Sequence, residues 1–107
     1  MRKIFSFDAE TDGLWGQPFA IGALVYDENG TEIDRFVGRL PESAVTDKWV
    51  KENVLPAIKD ITVTHQRYAD LLADFAKFYL DNKADADIVV HMGYVVEAKL
   101  LRDMHAS

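Results

Sequence analysis

The sequence predicts an α/β domain, a mixed β-sheet flanked by helices. Three observations carry this. Three strand-like segments (residues 3–10, 18–27 and 31–39) follow one another closely. Residues 65–82 carry apolar side chains at helical spacing. A short β-branched run, residues 86–92, comes after that helix. The order is β-β-β-α-α-β-α. Three strands joined by short turns, followed by a helical crossover into another strand, point to a mixed sheet with helices against it.

Side chains alternate along a strand. In the first strand Ile4, Ser6, Asp8 and Glu10 therefore share one face, and Phe5, Phe7 and Ala9 share the other. "PFAIGALVYD", residues 18–27, reads as a second strand buried on both faces. "DENG", residues 27–30, is a turn signal, with Gly30 suited to positive φ. Residues 31–39 then complete an antiparallel hairpin, which Pro41 ends.

"TDKWVKENVL", residues 46–55, reads as a short helix capped by Thr46 or Asp47 and closed by Pro56. In the long helix Tyr68, Leu71, Leu72, Phe75, Phe78 and Tyr79 form one stripe. Arg67, Asp70, Asp74, Lys77 and Asp81 fall opposite, and Thr64 suits the N-cap. "ADIVVHM" is the fourth strand, and a last helix starts near Tyr94. That helix runs to Ser107 without a stop signal, so one domain over residues 1–107 is expected to be incomplete at its C-terminus.

Composition narrows the class. The chain is 107 residues, 49% hydrophobic and 28% charged, which suits one folded domain with one core. It has no cysteine, excluding disulfides and thiolate metal sites. No apolar run approaches the roughly 20 residues of a membrane span, and "MRKIFSFDAE" is a poor secretory signal. A cytoplasmic location is the expectation. The net charge of −6 is not that of a protein that grips nucleic acid by neutralising phosphates. It is compatible with an enzyme that holds divalent cations, which then supply the local positive charge.

The opening strand carries the chemistry. Asp8 and Glu10 are same-face neighbours, with backbones roughly 6.5–7 Å apart by strand rise. Carboxylates converging there repel one another. A strand leaving its core also turns polar, which is the plain reading of such a pair. A hard cation between them removes the repulsion, and Mg²⁺ takes oxygen ligands while keeping waters for substrate phosphates.

"FDAETDGL", residues 7–14, resembles the first motif of the DEDD superfamily of 3'-5' exonucleases, commonly F-D-x-E-T-T-G. "FAIGALVYDENG", residues 19–30, is similar to the strand and turn that follow it there. The family's second motif, usually H-N-x-x-F-D, has its counterpart in "MGYVVEAKLL", residues 92–101. Glu97 then stands at the family's Asp, Val96 at the aromatic position, and Leu100 and Leu101 at the apolar ones. Met92 and Gly93 replace His-Asn. Glu in place of Asp is similar to a divergent, DEDDh-type branch of bacterial and phage exoribonucleases.

The resemblance implies a ribonuclease H-like fold and metal-dependent 3'-5' hydrolysis of single-stranded RNA or DNA, with RNA favoured, to nucleoside 5'-monophosphates. It implies two Mg²⁺ or Mn²⁺ ions held by Asp8, Glu10 and Glu97, the three residues it makes catalytic. Thr11, Gly13, Leu14 and Trp15 would meet the 3'-terminal nucleotide. The third motif, with the last Asp and a general base, is expected beyond Ser107. His105 follows Glu97 too closely to be that base, His65 precedes the second motif, and His91 lies one residue before the family's His position.

Trp15 either stacks on a base or closes the core edge, whereas Trp49 is expected to pack. Asp12 reads as a turn or cap residue, and Arg35, Arg39 and Lys99 as solvated cations. The alternative functions are a catalytically degenerate nucleic-acid-binding or scaffold module and an endonuclease on the same fold. No membrane partner is expected. An unpaired sheet edge would favour self-association into a homo-oligomer.

Overall fold

The computed structural model describes residues 2–13 and 16–90. It is an α/β structure with four strands: β1 (Lys3–Thr11), β2 (Pro18–Tyr26), β3 (Glu32–Arg39) and β4 (Ala86–Val90). Between β3 and β4 come a 3₁₀ turn (Glu42–Ala44), helix α1 (Lys48–Asn53), a second 3₁₀ turn (Leu55–Ile58) and helix α2 (Tyr68–Asn82). The sheet order is β3-β2-β1-β4. β1 and β3 run antiparallel to β2, and β4 runs parallel to β1. The expected hairpin is present, and so is the expected strand after the helical crossover, which makes the sheet mixed by running parallel to β1.

Alternation along β1 sets which face α2 covers. Phe5, Phe7 and Ala9 are at most 1% exposed, whereas Ile4 on the other face is 45% exposed. From β2 the same buried layer takes Phe19, Ile21, Ala23 and Val25. α2 answers with Leu71, Leu72, Phe75 and Phe78. Aromatic rings knit the layer: Phe5 lies 5.4 Å from Phe78, Phe7 5.5 Å from Phe75, and Phe36 of β3 5.4 Å from Phe75. These are the tilted and edge-on separations that aromatic pairs favour. α2 comes so close to β3 that a Cβ on Gly38 would sit 2.4 Å from Leu71 Cδ1. At the far end of α2, buried Asn82 donates to Asp34 Oδ2 at 2.9 Å and to the Phe78 carbonyl at 3.0 Å.

The structure corrects four expectations. β2 is not buried on both faces: Gly22, Leu24 and Tyr26 are half-buried, because α2 covers only the opposite side. α2 begins at Tyr68, not residue 65, and Thr64 is not its cap; Arg67 stands at the N-cap, where its side chain makes no capping bond. Thr64 is drawn instead to the end of β3. Its hydroxyl accepts from Arg39 N at 2.8 Å, and the backbone N–H groups of Thr64 and His65 both donate to the Arg39 carbonyl. α1 is shorter than residues 46–55, with Asp47 capping it through a bond from Val50 N. Pro56 falls within the following 3₁₀ turn rather than just past the helix.

Arg39 is the fourth correction. It is 3% exposed, not solvated, and its Nη1 donates to the carbonyls of Ile58 and Ile61, both at 2.9 Å. It thus satisfies the backbone beyond the second 3₁₀ turn, as buried carbonyls require. The expected extension of the fourth strand to residue 92 and the helix from Tyr94 lie outside the described residues. Among the described residues, no helix is long and apolar enough to cross a membrane.

Candidate functional site

The sheet face opposite α2 holds a shallow depression of about 340 Å³. Ser6 and Asp8 of β1, Gly22 and Leu24 of β2, and Arg35 and Val37 of β3 line it. Register explains the set. Asp8 pairs with Gly22 and Gly22 with Val37, while Ser6 pairs with Leu24 and Leu24 with Arg35. Gly22 supplies the room, since a Cβ there would meet nothing within 4 Å. Arg35 is tied to Glu32 at 2.7 Å, which raises its pKa through the hydrogen bond first and the charge second.

Asp8 is the chemically unusual member. Its Oδ1 is buried and has no hydrogen-bond partner among the described residues. A buried carboxylate oxygen without a donor is costly, more so than a neutral acceptor. Glu10 lies two residues along the same face, half-buried and engaged by an interaction of its own. Immediately after Glu10 the β1–β2 register slips: Glu10 pairs with Ala20 but Thr11 with Pro18. Such a bulge ends regular pairing and re-aims the chain.

The loop after this bulge is bolted to α1. Asp12 accepts from Thr46 N at 2.9 Å, Thr46 Oγ1 at 2.7 Å and Asp47 N at 2.7 Å. Partial desolvation pushes the Asp12 carboxyl up. The bonds from Asp47 and Thr46, with the charge of Lys51, outweigh it, so the group is held below its ordinary value. Gly13 has φ +84°, where an L side chain is strained, and a Cβ would also lie 3.2 Å from Asp47 Oδ2. The Thr11 hydroxyl donates to the Gly13 carbonyl at 2.6 Å.

Asp8 and Glu10 therefore share the open face, as the alternation requires, and Thr11 and Gly13 shape the loop beside them. Asp12 is the cap-like residue the sequence suggests. Leu14, Trp15, His91, Glu97 and Lys99 lie outside the described residues. Among the described residues, no three His, Cys, Asp or Glu side chains come together in a metal-binding group. Trp49 departs from expectation: it is 65% exposed. α1 is only 6 residues long and buries Val50 alone, so it offers no apolar groove for the ring. The brevity of that helix, between Asp47 and Pro56, was the available signal.

No protein-family model, curated protein or solved structure matches the chain.

Proposed function

We propose that the end of β1 is the metal-binding half of a phosphodiester-hydrolysing site, and that the protein acts as a 3'-5' exonuclease on single-stranded nucleic acid. One observation carries this: the buried Asp8 Oδ1, without a hydrogen-bond partner among the described residues, on the same open face as Glu10. An acceptor-only oxygen of this kind is suited to a hard cation, and Asp8 lines the depression over Gly22. The donor set is all oxygen, which fits Mg²⁺ or Mn²⁺ and not a soft metal.

Asp8 and Glu10 would hold the ion pair together with Glu97, the residue matching the family's second motif. When bound, such ions activate water and offset charge on the phosphate and the leaving oxygen. The protein's own part is positional. β1 fixes Asp8 through its antiparallel pairing with β2, where Asp8 stands opposite Gly22. The bulge after Glu10 turns the chain away so that the Thr11–Gly13 turn stands at the rim, where backbone groups can meet the terminal sugar. Asp12 locks that rim to α1 and keeps its geometry when substrate enters.

The test is degradation of a 5'-labelled single-stranded RNA, with DNA in parallel, in Mn²⁺ and in EDTA. Metal-dependent shortening from the 3' end, absent in Asp8→Asn, supports the reading. Internal cuts would point to an endonuclease. Intact substrate with folded protein would leave a binding module as the function.

A further inference from the structure

A second depression, of about 500 Å³, lies between the two 3₁₀ turns and α1. Glu42, Ser43, Lys51, Leu55, Pro56 and Lys59 line it. Among the described residues, six of the ten Lys and Arg side chains are ion-paired: Arg2 with Asp87, Arg35 with Glu32, Arg39 with Glu42, Lys48 with Glu52, Arg67 with Asp70 and Lys77 with Asp81. Among the described residues, Lys3, Lys51, Lys59 and Lys83 make no ion pair. Two of these four line the same depression.

The surroundings favour an anion. Among the described residues of the lining Glu42 is the one carboxylate, and it leans toward the buried Arg39 guanidinium, 3.9 Å away. Ser43 adds a hydroxyl donor, and Leu55 and Pro56 give an apolar wall suited to a sugar. The depression also adjoins the site already described. Lys51 is near enough for its charge to act on Asp12, which ties the β1 loop to α1.

We propose that this depression is a phosphate subsite that takes the backbone of the single strand leading into the Asp8–Glu10 site. The proposal rests on the exonuclease reading for its ligand class. Lys51 and Lys59 act as point charges on successive phosphates, giving affinity without sequence preference, and they touch no reacting atom.

The test pairs binding with cleavage. Binding of a fluorescent single-stranded octamer is measured in EDTA over a salt series, for the wild type, Lys51→Gln/Lys59→Gln and Glu42→Gln. Both lysines are exposed, so the double variant keeps the fold. Its octamer affinity at low salt is expected to fall roughly tenfold, and its salt slope to shrink by about 1.4, near 0.7 for each lost phosphate contact. Glu42→Gln should tighten binding. Cleavage of a dinucleotide in Mn²⁺, too short to reach the depression, should be unchanged in the double variant. Wild-type affinity and slope in that variant, or an octamer that the wild type does not bind, would overturn the proposal. So would equal loss of dinucleotide and octamer cleavage. A wild type that cleaves neither substrate, yet shows the lysine-dependent slope, would sink the exonuclease reading and leave the phosphate subsite standing.

Discussion

Replacing Asp8 by Asn removes a negative charge beside a buried oxygen that no donor among the described residues reaches. That oxygen is Oδ1, and Glu10 shares its face two residues away. Two unit charges at the strand-rise spacing of about 7 Å would repel by about 2 kcal/mol at an effective dielectric near 20. Glu10 is only half-buried and has an interaction of its own, so the relief is smaller. About 1–2 kcal/mol remains once the desolvated oxygen becomes neutral. For a domain of this size, that should raise the melting temperature by about 4–10 °C. Calorimetry or circular dichroism in EDTA reads it directly, with the amide oxygen taking the buried position. A lower melting temperature for Asp8→Asn would refute the reasoning. It would mean that the carboxylate is stabilised in the folded protein and needs no cation.

Three further outcomes are expected. Asp12 carries a lowered pKa, so its contribution to stability is full above the ordinary carboxylate range and is lost as pH falls through the lowered value. Denaturation measured between neutral pH and about pH 2 should therefore show an acid-side loss that Asp12→Ala lacks, the variant being about 1–2 kcal/mol less stable at neutral pH. Gly38→Ala should destabilise by about 1–3 kcal/mol in urea melts, because the new methyl meets Leu71, which is 0% exposed and has no free space to retreat into. Trp49→Ala should leave stability within about 0.5 kcal/mol. It should weaken single-strand binding by up to about 1–3 kcal/mol, independently of salt, if bases stack on that exposed ring; anisotropy titrations separate the two effects.

What could be read in the sequence was whatever depends on local spacing. The period of two in "KIFSFDAE" placed Phe5, Phe7 and Ala9 inward and Asp8 with Glu10 outward. The hairpin followed from the turn residues: Asn29 N and Thr31 N donate to Asp27 Oδ1, and Gly30 has φ +81°. The stripe on α2 became the lid of the core. Contacts between distant segments were not legible. Arg39 looked like any surface cation until the chain beyond the second 3₁₀ turn brought the Ile58 and Ile61 carbonyls to it. Thr64 is a good cap residue by type, yet the end of β3 competed for it: its hydroxyl accepts from Arg39 N, and the Thr64 and His65 N–H groups donate to the Arg39 carbonyl. Trp49 belonged to a pattern that a longer helix would have buried. The missing partner of Asp8 Oδ1 is likewise a property of the packed sheet, because sequence says which face a carboxylate takes and not which donors reach it.

Direct titration of Mn²⁺ into the metal-free protein, followed by calorimetry and by loss of the free-ion paramagnetic signal, bears most closely on the central claim. Saturable binding by the wild type that Asp8→Asn abolishes is the expected result. Absence of binding by the folded wild type, or equal binding by the variant, would contradict it, and the partnerless oxygen on β1 would then need another explanation.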